Sequence, residues 1–493
     1  MQFRDDAEMT RNRILRSLLP LSSSAVITLL ALQACGSNAA HQHAEPEVQQ
    51  APQVTEEATE RTLSAEEALA LFDDAIAKME SAGALSDMDE EDWQALSERF
   101  RKQAEAAGDN QALRAVLGEM IDSLGKSHFA IIPQEAVAET PSDAVGPATL
   151  GLTARYADGL AIITEVDAGS AADEAGVRPG WCIDTVNGRE IADFFARFGE
   201  MDPSSMGGYQ RNAGLNAMLT TRPGNLVELE LLDLDGVARE FELEGREQSL
   251  QMIRFGNLPP MSVSTDSSIL GKEELKAYGV EVDEGYQVGL LRFSVWMVPI
   301  MQPILKAVDD FRTAGVDAVI IDLRGNPGGV GGLAMGVGGH FFEEPVSLGT
   351  MYNDFGEMQF NTNPQRLSPD GKLVKPLSTP LAIIIDEMSA STSEIFAGGM
   401  QSAERATIVG RRTPGMALPA VAEELPNGDI LYHAIAEFER PDGRTVEGVG
   451  IAPDAPVLLE QAAFGTSCDP DVRTAVELML EMTTPTAEST ATE

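Results

Sequence analysis

The chain has 493 residues, of which 43% are hydrophobic, and its formal net charge at pH 7 is −43. This length is enough for several domains with packed cores. A net charge of this sign and size repels nucleic-acid phosphates and anionic lipid headgroups, which excludes nucleic acid as a partner. The acidic residues are interpreted as a solvated surface and not as an acidic binding site.

The first 34 residues have the pattern of a secretory signal, because a basic start is followed by an apolar stretch and a small residue before Cys35. Leu-Gln-Ala-Cys at 32–35 resembles the bacterial lipobox, which implies lipidation of Cys35. The alternative is a plain secretory signal with an incidental cysteine. The predicted location is the bacterial cell envelope, facing the periplasm from a lipid anchor in the outer membrane, or outside the cell. Membrane contact is expected only through the lipidated N-terminus.

Residues 35–60 are polar and are predicted to form a flexible tether. Residues 61–135 place apolar side chains at helical spacing, and Ser64 with Glu67 forms a capping-box pattern. This N-terminal helical region ends in a Ser-His pair, Ser127 and His128. Elsewhere in the chain, Cys182 and Cys468 remain, and the sequence gives no reason to pair them.

Residues 146–247 are predicted to form a β-domain, with turns at Asp158-Gly159 and Asp235-Gly236. The run GSAADEAGVRPGWCIDTVNG resembles the helix-turn-strand signature of PDZ domains. The resemblance implies that a peptide adds to this domain as a strand. Its C-terminal carboxylate would meet the backbone N–H groups of Leu150, Gly151 and Leu152. The alternative is an unrelated small β-domain.

Strands and helices alternate between residues 250 and 462, and their continuous Val/Ile runs indicate a sheet covered on both faces. Two polar loops follow buried strands, DLRGNPGG at 322–329 and SASTSEI at 389–395. Strand ends of this kind are where α/β folds place their sites. Residues 480–493 are predicted to be a disordered tail.

The two loops, in this order and after a PDZ-like domain, resemble motifs of the C-terminal processing (tail-specific) serine peptidases. That resemblance implies an α/β and α+β multidomain protein with an α/β sandwich core of the ClpP/crotonase-like type. The middle serine of the family's Ser-Ala-Ser-Ala-Ser-Glu motif is the nucleophile, and here it corresponds to Ser391. The implied oxyanion hole is the N–H of Thr392 together with that of Gly328 or Gly329.

One position departs from the bacterial Ser–Lys members of that family, in which a lysine follows the nucleophile by 25 residues. The run VGRRTPGMA places Met416 there, and no lysine follows residue 375. A thioether is not a useful proton acceptor, which excludes the Ser–Lys mechanism at this position.

The run LGKSHF instead resembles the tricorn-core branch, which uses a Ser-His-Ser-Glu tetrad. The resemblance implies that His128 is the general base, that Ser127 orients it, and that Glu447 in EGVGIAPD supports Ser127. The chemistry agrees, since an imidazole titrates near working pH and needs a further group to fix its tautomer.

Two functions are therefore open. One is a serine endopeptidase acting on protein or peptide substrates; the other is a catalytically inactive peptidase-fold protein that binds peptides or a partner. No metal and no organic cofactor are predicted, and the oligomeric state is left open. If the first function holds, Nε2 of His128 should lie within hydrogen-bond reach of Ser391.

Overall fold

The computed structural model describes residues 62–82, 88–135, 148–199, 202, 204–247, 251–253, 261–465 and 469–483. The predicted signal peptide, Cys35, the tether and Cys468 lie outside these residues. Within the described ranges, no helix is both long and apolar enough to cross a bilayer. Cys182 is a buried free thiol.

Eleven helices are used below. They are α1 (Ala65–Ser81), α2 (Glu90–Ala104), α3 (Asn110–Asp122), α4 (Ala171–Glu174), α5 (Ile191–Ala196), α6 (Met206–Ala217), α7 (Lys272–Ala277), α8 (Met301–Ala314), α9 (Gly332–Gly338), α10 (Thr392–Ser402) and α11 (Pro470–Thr483).

The strands fall into several sheets. They are β1 (Ala130–Ile132), β2 (Ala148–Thr149), β3 (Leu152–Ala157), β4 (Leu160–Val166), β5 (Cys182–Val186), β6 (Arg189–Glu190), β7 (Thr220–Thr221), β8 (Leu226–Leu232), β9 (Ala238–Glu244), β10 (Gln251–Ile253), β11 (Met261–Val263), β12 (Thr265–Leu270), β13 (Val288–Phe293), β14 (Ala318–Asp322), β15 (Ser347–Asn353), β16 (Gly356–Asn361), β17 (Leu381–Ile385), β18 (Thr407–Gly410), β19 (Ala420–Glu424), β20 (Ile430–Ala434), β21 (Glu437–Glu439) and β22 (Ala455–Pro456).

The N-terminal region is a three-helix unit, α1 to α3, as its apolar spacing predicts. The predicted capping box at α1 is present: the N–H of Glu67 donates to Ser64 Oγ (3.2 Å) and the N–H of Ser64 donates to Glu67 Oε2 (2.9 Å). Apolar side chains of the three helices pack together and onto Leu431 of β20. The unit is thereby joined to a sheet that lies 300 residues further along the chain.

The region after it is an antiparallel sheet in the order β3-β4-β5-β8-β9, with β6 paired to β5. Its two hairpin turns fall at Asp158-Gly159 and Asp235-Gly236, where the sequence predicts them. The sequence pattern missed helix α6. Its one buried face is formed by Gly208, Arg211, Asn212 and Leu215, so it lacks the apolar stripe from which helices are recognised.

A second six-stranded sheet has the order β12-β13-β14-β17-β18-β22, and every pair except β12–β13 is parallel. Every residue of β14 and β17 is buried, because helices cover both faces. Asp322 pairs with Ile384 at the carboxyl end of these two strands. The glycine-rich loop after β14 and the serine-rich loop after β17 therefore leave the sheet at the same edge.

Helix α11 corrects two predictions. The core does not end at residue 462, and residues 480–483 are helical where disorder was predicted. Val472, Ala475, Val476 and Met479 lie on one face of α11 and pack against the sheet. Their spacing is that of an amphipathic helix. The core thus extends to Thr483, and only residues 484–493 of the predicted tail lie outside the described residues.

Strand β1 ties the N-terminal region to β20, with Ala130 opposite Tyr432. Beside this pairing the buried Asp429 carboxylate accepts hydrogen bonds from the Arg114 guanidinium (2.6 and 2.9 Å) and from the N–H of Gln134 (3.0 Å). Asp429 therefore joins α3, the segment after β1 and the turn before β20.

We predict that Asp429→Asn lowers the free energy of unfolding by about 1.5–3 kcal/mol, since a buried charge-assisted hydrogen-bond centre is lost. The matched control is Asp73→Asn, which breaks an exposed ion pair with Arg101. The side chain of Asp73 is 48% exposed and that of Arg101 is 47% exposed. That loss should be at most about 1 kcal/mol. Chemical denaturation followed by circular dichroism measures both, and equal losses would contradict the assignment.

Candidate active site

Ser391 lies in the turn between β17 and α10, with a φ of +56° and ψ of −118°. This backbone conformation is strained for a serine and is held by its hydrogen bonds. The N–H of Ser391 donates to the carbonyl of Met416 (2.8 Å) and to Glu394 Oε2 (3.1 Å). The turn places the Ser391 hydroxyl next to the N-terminus of α10.

The side chain of His128 reaches that hydroxyl: His128 Nε2 lies 3.2 Å from Ser391 Oγ. His128 follows α3 and precedes β1, and it also has a positive φ, +60°. Its other ring nitrogen, Nδ1, lies 2.7 Å from Ser127 Oγ. The hydrogen-bond distance expected between His128 and Ser391 is thus present, across 263 residues of sequence.

Glu447 holds Ser127 at two points. Glu447 Oε1 accepts from the N–H of Ser127 (2.7 Å), and Oε2 accepts from Ser127 Oγ (2.9 Å). Since the hydroxyl proton of Ser127 is donated to Glu447, Ser127 Oγ is left to accept from Nδ1–H of His128. This leaves Nε2 of His128 without a proton and able to accept the one on Ser391.

Burial sets the charge of the two titrating groups. It lowers the pKa of His128 from 6.5 to about 4, because loss of water around the ring disfavours the charged imidazolium. It also raises the pKa of Glu447, against the opposing effect of hydrogen bonds from Ser127 and from the N–H of Ala417. His128 is therefore a neutral base near pH 7.

The glycine-rich loop packs directly against the serine turn. A Cβ on Gly328 would lie 2.5 Å from Ser391 Cβ, and one on Gly329 would lie 2.4 Å from the carbonyl oxygen of Trp296, so neither position accepts a side chain. The N–H of Gly328 donates to Asn326 Oδ1 (3.0 Å). Among the described residues, the N–H groups of Gly329 and Thr392 have no acceptor. Of the two glycines that the sequence left open, Gly329 is the one with a free donor.

Met416 lies beside Ser391, as the alignment with the Ser–Lys lysine position predicts, but its contribution there is its backbone. Its carbonyl accepts from Ser391, its N–H donates to Glu394 Oε2 (2.8 Å), and the next N–H, that of Ala417, donates to Glu447 Oε2 (3.1 Å). We call residues 413–417 the strap, because this segment connects Ser391 to Glu447.

The sequence interpretation gave no role to Glu394, which is fully buried and anchors the strap. Its carboxylate accepts hydrogen bonds from Thr413 Oγ1 (2.5 Å) and from the N–H groups of Gly415 (2.8 Å), Met416 and Ser391. Burial raises the pKa of Glu394 to about 7, although these four hydrogen bonds oppose the shift. The available signal in the sequence was a glutamate three residues after Ser391, in the spacing of a capping box.

Leu150, Gly151 and Leu152 are not part of this cluster. The side chains of Leu150 and Leu152 belong to the core of the β-domain, and the N–H of Gly151 donates to Thr149 Oγ1 (3.0 Å). No group of three or more His, Cys, Asp or Glu side chains that could hold a metal occurs within the described part of the chain.

We predict that His128 titrates with a pKa of about 4 in the folded chain, as measured by NMR of the imidazole C–H signals and assigned by their loss in His128→Gln. Because the unfolded value is near 6.5, the folded chain binds fewer protons between these pH values. The stability contributed by the neutral ring should therefore fall as the pH drops from about 6.5 through 4. A pKa near 6.5 for the assigned signal would contradict the burial of the ring.

Comparison with known proteins identifies two segments. Residues 287–457 match peptidase family S41, and residues 64–122 match the tricorn protease C1 domain. The carboxyl-terminal-processing protease of Synechocystis sp. is 25% identical over 257 residues, which cover 51% of this chain and 58% of that one. The carboxy-terminal-processing protease of Bartonella bacilliformis is 30% identical over 221 residues, covering 44% and 48%. The chain thus spans about half the length of these curated relatives.

Two solved structures share the fold. The photosystem II D1 C-terminal processing protease superposes with a TM-score of 0.53 at 18% identity, covering 83% of this chain and 97% of that one. Mature CPAF complexed with lactacystin gives a TM-score of 0.53 at 15% identity, covering 85% and 98%. The predicted mixed α/β fold is confirmed. The predicted resemblance is confirmed by the similarity of residues 287–457 to peptidase family S41 and of residues 64–122 to the tricorn protease C1 domain.

Proposed function

We propose that this protein is a serine endopeptidase that hydrolyses peptide bonds of protein substrates through an acyl-enzyme on Ser391. The observation that carries the proposal is the unbroken series of hydrogen-bonded groups from Ser391 through His128 and Ser127 to Glu447. Each pair in the series is within 3.2 Å. In this series His128 takes the role of general base, which a lysine at the position of Met416 has in the Ser–Lys members.

The proposed reaction begins when Ser391 Oγ attacks the carbonyl carbon of the scissile amide. Nε2 of His128 takes the hydroxyl proton, and the oxyanion that forms faces the N–H groups of Gly329 and Thr392. Collapse of the tetrahedral intermediate breaks the C–N bond, and His128 returns the proton to the leaving amine. Water, deprotonated by His128, then hydrolyses the ester and regenerates Ser391.

Ser127 and Glu447 act on this reaction through His128. Ser127 fixes the tautomer in which Nδ1 carries the proton, and Glu447 fixes the direction of the Ser127 hydroxyl. While His128 holds the proton from Ser391, the buried Glu447 carboxylate stabilises the imidazolium across one intervening hydroxyl.

We also propose that residues 146–247 act as a PDZ domain that binds substrate C-termini. Support comes from the sequence signature and from the order of its antiparallel strands, with a glycine-containing loop at Leu150–Leu152 leading into an edge strand, β3. The lipid anchor on Cys35 and the location in the cell envelope are proposed on the sequence alone. The inactive-protein alternative is not favoured, since the serine, its base and both supporting groups are joined in one cluster.

The test is the rate at which a fluorophosphonate probe labels the purified full chain. Ser391→Ala should abolish labelling, and His128→Gln should slow it by at least about 10²-fold, since the base is lost. Met416→Ala should slow it less than tenfold, because the hydrogen bonds of Met416 to Ser391 and Glu394 are made by its backbone and the substitution keeps them.

Ser123→Ala is the matched control, since Ser123 is an exposed serine whose hydroxyl donates to its own helix. It should label at the wild-type rate. Labelling that persists in Ser391→Ala, or that is unaffected in His128→Gln, would contradict the proposed mechanism. Complete absence of labelling in the wild type, with or without added peptide, would favour the inactive protein.

A further inference from the structure

We propose that Asn212 and Asn216 close the seam between helix α6 and the free edge of β3, which is the peptide groove of the proposed PDZ domain, and that Arg211 in this seam selects peptides with an acidic side chain. The inference rests on the proposed function, and it specifies the ligand and the regulation of the proposed PDZ domain.

Among the strands that the structure describes, β3 pairs with β4 alone and is the edge strand of its sheet. On its other edge, the N–H of Ala154 donates to Asn216 Oδ1 (3.0 Å), and Asn216 Nδ2 donates to the carbonyl of Ala154 (2.8 Å). The N–H of Tyr156 donates to Asn212 Oδ1 (2.8 Å). A side-chain amide offers the same donor and acceptor as a peptide unit. The two asparagines of α6 thus occupy the hydrogen-bonding positions that an added strand would use.

The closed seam leaves donors without acceptors. Arg211 of α6 is only 2% exposed. Within the described part of the chain, its Nε and Nη2 have no hydrogen-bond partner, and neither has Nδ2 of Asn212. The guanidinium lies over the ring of Tyr156, 3.5 Å from its centroid. A buried cation without a hydrogen-bonded anion is costly, so the closed state is disfavoured relative to one in which an acceptor enters. A carboxylate is the acceptor that suits a guanidinium best.

The position of Arg211 predicts where that carboxylate lies in the ligand. A peptide whose C-terminus meets the loop at Leu150–Leu152 runs along β3 toward Tyr156. Tyr156 lies four positions after Leu152 along the strand, which is a distance of about 13 Å. Arg211 should therefore meet an acidic side chain about four residues before the C-terminus of the peptide.

The same helix connects the seam with the candidate active site. Burial and the nearby Asp386 carboxylate raise the pKa of Tyr209 on α6, and burial with Tyr209 close by raises the pKa of Tyr432 to about 12. The Tyr432 ring lies 5.8 Å from that of His128. From β3 itself, Arg155 forms a buried ion pair with Asp386 (2.8 Å), in the turn that leads to Ser391. Displacing α6 from β3 should therefore alter the surroundings of both His128 and Ser391.

The test uses the full chain with Ser391→Ala, so that no peptide is cleaved, and a library of random octapeptides with free C-terminal carboxylates. Captured peptides should be enriched in Asp or Glu about four residues from the C-terminus, and a C-terminally amidated library should be captured poorly. Adding Asn212→Ala and Asn216→Ala opens the seam and should increase capture at least tenfold. Adding Arg211→Gln should abolish the acidic enrichment.

Gln210→Ala is the control, since Gln210 is an exposed residue of the same helix, and it should match the parent. If the double variant melts early, Asn216→Asp replaces it: it keeps an acceptor for the N–H of Ala154 but cannot donate to the Ala154 carbonyl, so capture should still rise.

The inference is overturned if the opened variants capture no more peptide than the parent, or if acidic enrichment survives Arg211→Gln. Because the assay uses the Ser391→Ala chain, the amount of peptide captured does not depend on whether Ser391 hydrolyses peptides. Failed fluorophosphonate labelling together with intact, Arg211-dependent capture would reject the peptidase and keep the peptide site.

Discussion

The hydrogen bonds between Ser127 and Glu447 join two segments that lie 320 residues apart, and the candidate active site exists only where they meet. His128 belongs to the N-terminal region, whereas Ser391 belongs to the parallel sheet. Neither segment alone contains both a nucleophile and a base. The docking of the three-helix unit onto β20, through β1 and Asp429, is therefore a condition for the proposed catalysis as well as for stability.

The strap connects two parts of the candidate site. Its backbone groups form hydrogen bonds with Ser391, with Glu394 and with Glu447. The buried carboxylate of Glu394 accepts four hydrogen bonds, three of them from the strap. Burial raises the pKa of Glu394 to about 7, so this carboxylate gains a proton as the pH falls through neutrality. In the proposed mechanism, the strap and Glu394 position Ser391, whereas His128 transfers the proton.

Much of the fold follows from local patterns. The Val/Ile runs predict the buried strands β14 and β17, and the capping box at Ser64 predicts the start of α1. The resemblance of short motifs predicted Ser127, His128, Ser391 and Glu447 as site residues, and the structure places all four in one cluster. It could not choose between Gly328 and Gly329, because that choice depends on the hydrogen bond from Gly328 to Asn326 Oδ1. Helices α6 and α11 were missed, the first because its buried face is largely polar.

The most direct test of the account is a double-mutant cycle on the fluorophosphonate labelling rate with Ser127→Ala and Glu447→Gln. If Glu447 acts only through Ser127, the double variant should label within about threefold of the slower single variant, because the second change removes nothing further. If the two effects multiply, the groups act independently. That result would contradict the series of hydrogen bonds from Glu447 to Ser391 on which the proposed mechanism depends.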